Sequence, residues 1–136
     1  MDEKEIVDRF RVALDQADWS AVLSLLAHDC EYVVRGATTQ GRDAIIESYS
    51  SIDEWAKRTF ESVRYESACE KHTHIGWLIT FRDVIEHRGH RLDHTCQQRV
   101  ELDASGQIRR IEHIDLPGER EKVDRFNRLC GVEKPE

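Results

Sequence analysis

Two spacings in this chain could do chemistry. His113 and Asp115 are separated by one residue in IRRIEHIDLPG, so in a regular strand both side chains project to one face. His94, Cys96 and Gln98 share a face of HRLDHTCQQRVEL with Leu92, Val100 and Leu102. The opposite set, Arg91, Asp93, Thr95, Gln97, Arg99 and Glu101, is polar throughout, which makes the mixed face the inner wall of a sheet. A histidine and a carboxylate facing an apolar interior are desolvated and their pKa values move, as acid–base work requires. Asp115 and His94 are therefore the candidate acid or base, with Gln98 and His113 placed to polarise a ligand oxygen.

Structural roles compete for the same residues. Asp115 precedes Leu116-Pro117-Gly118-Glu119 and could cap a following helix through backbone N–H groups. His113 could instead lie on the outer face with Arg109, and His94 and Gln98 could find protein partners. Cys96 shares the wall with His94, but i and i+2 residues on a strand make a poor nucleophile–base pair, so it reads as packing. His72, His74, His87, His90 and His94 invite a metal reading. They fall at hairpin ends, where three ligands rarely converge on one ion, and no HExxH or Cys/His pairing supports it. Neither metal nor cofactor is expected.

The elements that must position these groups are legible from periodicity. Ile6, Phe10, Ala13, Leu14 and Ala17 recur at three and four, predicting an amphipathic helix over 3–17. Asp18 can cap a second helix, Trp19 to Ala27. A short strand follows at Glu31–Arg35, then a polar loop from Gly36 to Gly41, then a third helix with Ile45, Ile46, Tyr49 and Ile52 inward and Trp55 in its continuation. From Phe60 the period is two. Val63 and Tyr65 alternate, a turn falls near Glu70–His72, and HIGWLITFRDVIEH carries Trp77, Ile79 and Phe81 on one face. Arg88-Gly89 and Asp103–Gly106 are turns bounding strands at His90–Leu102 and Gln107–Asp115. Pro117-Gly118 opens a last helix with Val123, Phe126 and Leu129 inward and Gly131 as its stop.

Helices followed by consecutive hairpins predict α+β: a cone-shaped, strongly curved antiparallel sheet wrapped around N-terminal helices, with a C-terminal helix. A cone leaves a hollow, where a small apolar ligand would bind. Trp77, Tyr49, Trp55 and Phe10 are candidate aromatic contacts for it.

Composition limits the partners. Of 136 residues, 39% are hydrophobic and 35% charged, and the net charge is −7. One domain over 1–136 is expected, with a core of ordinary size. The acidic balance and the absence of a basic patch argue against nucleic acid. The chain has no apolar run of membrane length, and its N-terminus, MDEKEIVDRF, is acidic where a secretory signal is basic. The expectation is a soluble, cytoplasmic protein whose Cys30, Cys69, Cys96 and Cys130 are free thiols, mostly buried.

DWSAVLSLLAHDCEY, GRDAIIESY and RVELDASGQIRRIEHID, in this order, resemble the nuclear-transport-factor-2-like superfamily, particularly its SnoaL-like branch. The resemblance spans nearly the whole chain and implies homodimers paired through their sheets. Its chemistry is varied: isomerases, dehydratases, cyclases, epoxide hydrolases and non-catalytic modules share the fold. The tyrosine of the ketosteroid isomerases falls on Phe10, their carboxylate base near Val34 or Arg35, and their protonated aspartate on Gln98, so that reaction is not implied. Polyketide cyclases of the branch use an aspartate near the end of the last strand with a histidine nearby, which places Asp115 and His113 in those positions. What is implied is a small-molecule-binding protein, either a cofactor-free acid–base isomerase, dehydratase or cyclase, or a non-catalytic binding or dimerisation module.

Overall fold

The structure, a computed structural model, describes residues 1–134. Helix α1 (Glu3–Asp15) starts at Asp2, whose side chain accepts from the Glu5 amide, and buries Ile6, Val7, Phe10, Ala13 and Leu14. Helix α2 (Trp19–Leu25) is capped as expected by Asp18, which accepts from the Ala21 amide at 3.2 Å. Strands β1 (Leu26–Val34) and β2 (Ala37–Gln40), helix α3 (Arg42–Thr59), strands β3 (Ser62–His72), β4 (Gly76–His87), β5 (His90–Leu102) and β6 (Ile108–Asp115), and helix α4 (Glu119–Cys130) complete the chain. None of the described helices is long and apolar enough to cross a membrane.

The six strands form one curved, open sheet in the order β2-β1-β6-β5-β4-β3. From β3 to β6 it is the predicted meander, with unbroken antiparallel register from Trp77↔Val100 to His87↔His90 between β4 and β5. The expectation of a wholly antiparallel sheet is corrected at one seam, because β1 pairs parallel with β6. The reason is burial: Ile108 and Ile111 of β6 are inaccessible to solvent, and β1 covers the edge that β6 would otherwise leave open.

Local differences have local causes. The expected loop over 36–41 contains β2, because Arg35 and Gly36 both adopt positive φ (48° and 81°) and so form the two-residue turn that closes a hairpin. Arg88 and Gly89 repeat that conformation between β4 and β5. Ile52 is 46% exposed, and α3 turns Asp53 and Ala56 inward instead. Leu129 is 59% exposed, because α4 rests on Phe126 and Cys130.

Two apolar clusters result. The larger joins α1, the start of α3 and the sheet through Phe10, Ile45, Ile79, Val100 and Ile111. The smaller joins the end of α3 to α4 through Ala56, Phe60, Ile85, Leu92, Phe126 and Cys130. All four cysteines are free, and Cys30, Cys96 and Cys130 are buried.

Candidate functional site

Along the inner face of β4 the order is Ile79, Phe81, Asp83, Ile85, and along that of β5 it is Leu92, His94, Cys96, Gln98, Val100. The first cluster claims Ile79 and Val100 and the second claims Ile85 and Leu92. Apart from Phe81 and Cys96, what lies between is polar. Register places Tyr65 opposite Asp83, Asp83 opposite His94, Cys96 opposite Asp115 and Gln98 opposite His113, so a belt of ionisable groups crosses the concave face between two apolar bodies.

At the β6 end Asp115 is gripped by Arg35, with Nε 2.8 Å from Oδ2 and Nη2 3.1 Å from Oδ1. A fork of this kind fixes a carboxylate in orientation as well as charge. His113 Nε2 lies 3.0 Å from Asp115 Oδ1. Burial raises the Asp115 carboxyl, but the His113 hydrogen bond and the Arg35 charge outweigh it and hold the group below its ordinary range. Burial lowers the His113 imidazole despite the pull of Asp115, so it is held toward its neutral form. An ionised carboxylate only accepts, so the single ring proton of neutral His113 sits on Nε2 and Nδ1 carries the lone pair. That Nδ1 is buried and has no hydrogen-bond partner among the described residues. In the middle of the belt His94 Nδ1 donates to Asp83 Oδ2 at 3.3 Å, and both side chains are partly open, at 17% and 30% exposure.

Among the described residues five buried side-chain atoms lack hydrogen-bond geometry, but three of them have a polar side chain within 3.4 Å: His72 with Glu70, His87 with Glu61, and Glu119 with Lys122. The remaining two are His113 Nδ1 and Asp15 Oδ1. They stand at different strands, His113 on β6 and Asp15 against β3. Asp15 Oδ2 accepts from Ser67 Oγ on β3. A concavity of about 490 Å³ opens there, lined by Asp15, Lys57 and Tyr65 among others. Tyr65 donates to Asp53 at 2.8 Å.

The residues singled out from sequence separate into three groups. His94, His113 and Asp115 come together in the belt. Asp115 is not a helix cap, since Gly118 occupies that position without a side-chain bond and both Asp115 oxygens are engaged elsewhere. Gln98 is buried beneath the belt: its Oε1 accepts from Tyr49 at 2.8 Å and its Nε2 donates to Tyr32 at 3.2 Å. The rings of Tyr49 and Tyr32 stack 4.9 Å apart, so the expected hollow is filled by side chains at this level. The third group lies elsewhere. Phe10 is sealed in the larger cluster, Trp55 packs edge-on to Phe60 beside the smaller one, and Trp77 donates to Glu3 at the start of α1 with the Lys71 ammonium over its ring.

Cys96 behaves as packing. Burial, together with the nearby carboxylates of Asp83, Asp115 and Glu119, pushes its thiol up to about 12. Sequence reasoning missed Arg35 and Asp83, and both had a signal. Arg35-Gly36 is the same turn dipeptide as Arg88-Gly89, and Asp83 continues the Trp77, Ile79, Phe81 alternation onto the inner face. Among the described residues no three His, Cys, Asp or Glu side chains gather as a metal site.

No curated protein matches the sequence. By structure the chain is similar to Bal32a, from a soil-derived mobile gene cassette, with 19% identity and a TM-score of 0.70 over 91% of this chain and 95% of that one. It is also similar to SalBIII, an epoxide hydrolase/cyclase-like enzyme of pyran ring formation in the polyether salinomycin, with 14% identity, a TM-score of 0.66, and coverage of 86% and 92%. A third similar structure is an epoxide hydrolase of Mycobacterium tuberculosis described as LEH-like, with 18% identity, a TM-score of 0.60, and 96% of both chains covered. At such identities the likeness is one of fold. The sequence profile of the SnoaL-like domain matches residues 7–111, from α1 to the middle of β6, and on that match the chain belongs to the SnoaL-like family.

Proposed function

We propose that this protein binds a small, largely apolar compound bearing a carbonyl or hydroxyl group against the polar belt, and moves a proton on it without a cofactor, as in isomerisation, dehydration or cyclisation. Membership of the SnoaL-like family and the cyclase- and epoxide hydrolase-like neighbours support a ligand-binding or cyclase/isomerase role at the level of the family. The observation that carries the proton-transfer reading is the Arg35–Asp115–His113 chain, which ends on a bare imidazole nitrogen. A buried acceptor with no partner costs free energy and calls for a functional reason. In this arrangement Asp115 is a positioning residue, held as an anion by Arg35, and His113 Nδ1 takes the proton. The protonated His113 gives the same proton back at another atom of the compound, and His94, oriented by Asp83, is the second polar group facing the ligand. Gln98 supports the floor through its tyrosine bonds.

The test is native mass spectrometry of the purified protein for a copurifying small molecule, followed by turnover of that molecule. His113→Asn, Asp115→Asn and His94→Gln should each bind it and convert it at least about a hundredfold more slowly. A molecule that leaves unchanged, held equally well by all three variants, rejects catalysis. That outcome would favour the second reading, a non-catalytic binding module, for which the side-chain filling around Gln98 speaks.

We also propose that two copies pair through the convex face of the sheet. Its centre, Leu78, Thr80, Thr95, Gln97 and Ile114, is uncharged. Its rim is charged, with Arg82 between Asp93 and Glu66 and Arg99 against Glu101. An uncharged core inside a polar rim is how protein interfaces are built.

A further inference from the structure

Helix α4 is fastened at both ends by the same kind of device. Asp115, four residues before the helix, is held by the Arg35 fork. The carbonyl of Cys130, its last residue, accepts from Arg88 Nη1 at 2.6 Å. Both arginines occupy the first position of an Arg-Gly hairpin turn, with φ of 48° and 50°. That backbone suits asparagine or glycine, so an arginine there costs conformational energy, and in each case its side chain reaches across to a distant segment.

Between the two fastenings the helix is lightly seated. Its buried residues, Phe126, Asn127 and Cys130, all belong to its second half. The first half meets β5 through polar groups. Lys122 Nζ donates to the Asp93 carbonyl at 2.8 Å, three residues beyond the last pair between β5 and β6, and the Glu119 carboxylate acts on the Cys96 thiol. Helix α4 therefore covers the part of the concave face that β6 leaves open, from Leu92, which shares a cluster with Phe126, to Cys96. Gly118 joins it to β6 in the left-handed region, without a side-chain cap. Few buried apolar contacts and a glycine junction mark a segment that opens ahead of the rest. We infer that α4 is a lid over the belt, hinged at residues 116–118 and latched at its far end by Arg88, and that a ligand reaches His94 and Cys96 when it lifts. The inference rests on the belt being the place where the ligand binds.

The four free cysteines report this motion in the intact chain. Cys130 lies on the lid, Cys96 lies beneath it, Cys30 sits in the larger apolar cluster, and Cys69 is partly exposed. Labelling with N-ethylmaleimide, followed site by site by mass spectrometry, should mark Cys69 first, Cys130 and Cys96 together, and Cys30 last. Arg88→Asn keeps a residue that suits the turn and removes only the latch. It should speed Cys130 and Cys96 about tenfold, because a charge-assisted hydrogen bond is lost, and leave Cys69 and Cys30 unchanged. Wild-type Cys30 labelled as fast as Cys130 would mean that the whole chain opens at once, and would overturn the lid. So would Cys130 accelerating without Cys96, since the helix would then not cover the belt. Unchanged rates in Arg88→Asn would overturn the latch. None of these outcomes depends on turnover, so a failure of the proton-transfer reading leaves the lid intact, and a failure of the lid leaves that reading to its own test.

Discussion

A histidine held neutral and a carboxylate held ionised give the belt its own pH signature. The unfolded chain accepts a proton on His113 near the ordinary value of 6.5, while burial makes the folded imidazole resist it. Stability should therefore fall as pH drops below about 6.5, until the lowered folded value is reached. Asp115, held down by His113 and Arg35, contributes at pH above its ordinary value of 3.8, and that contribution disappears as pH falls through its folded value. Urea denaturation across a pH series checks both windows, and His113→Asn should flatten the upper one and narrow the lower, because it also removes a group that holds Asp115 down. An unchanged upper window in that variant would assign it to another of the seven histidines. Tyr49 gives a second prediction. Its hydroxyl is the donor to the Gln98 carbonyl in a buried network, so Tyr49→Phe strands an acceptor and should cost about 1–3 kcal/mol by the same measurement. A cost near zero would mean that water reaches Gln98 and that the floor of the cone is open.

Between elements, stability depends on which face of each helix meets the sheet. Helix α4 is docked by Phe126, which packs 5.6 Å from the Phe60 ring and is 4% exposed. Phe126→Ala should cost about 3–5 kcal/mol in chemical denaturation, whereas Leu129→Ala, three residues further on, should stay within about 0.5 kcal/mol. The reverse order would mean that α4 is rotated about its axis. This contrast also marks what periodicity could reveal. Alternation placed β5 and its inner face correctly down to His94 and Gln98, because the other side of that strand is wholly polar. Val123, Phe126 and Leu129 fit a helical stripe equally well with or without Cys130, so only the neighbouring Phe60 and Leu92 decide the rotation. The β1·β6 seam was hidden for a related reason: a parallel pair between distant segments leaves no turn residue to read. The His113-x-Asp115 spacing was visible, but its partner Arg35 is 80 residues away and enters only once the sheet brings β1 beside β6.

At the scale of the whole molecule, the convex face of the sheet decides whether the chain acts alone. The strands that carry the belt inward present Thr80, Thr95 and Gln97 outward, with Gln97 donating to Thr80 across the β4–β5 seam. A pair of copies stacked on this uncharged centre would bring the rim charges of each against those of the other, including Arg82, Asp93 and Glu66. Each copy carries a net charge of −7, and the repulsion between two copies is screened within about 8 Å at physiological ionic strength, so the proposed dimer should form faster as salt rises while its centre continues to hold. Sedimentation velocity over a concentration series should return a dimer mass, and Thr95→Arg, which places a charge at the centre of the uncharged patch, should return a monomer of unchanged fold. Because His94 and Cys96 are the neighbours of Thr95 in β5 but face the opposite way, that monomer should still bind whatever the belt binds. A wild-type chain that sediments as a monomer at every concentration rejects the pairing. A Thr95→Arg monomer that has lost its ligand would mean that the two faces of the sheet are coupled through the backbone, and that the belt takes its working shape only in the dimer.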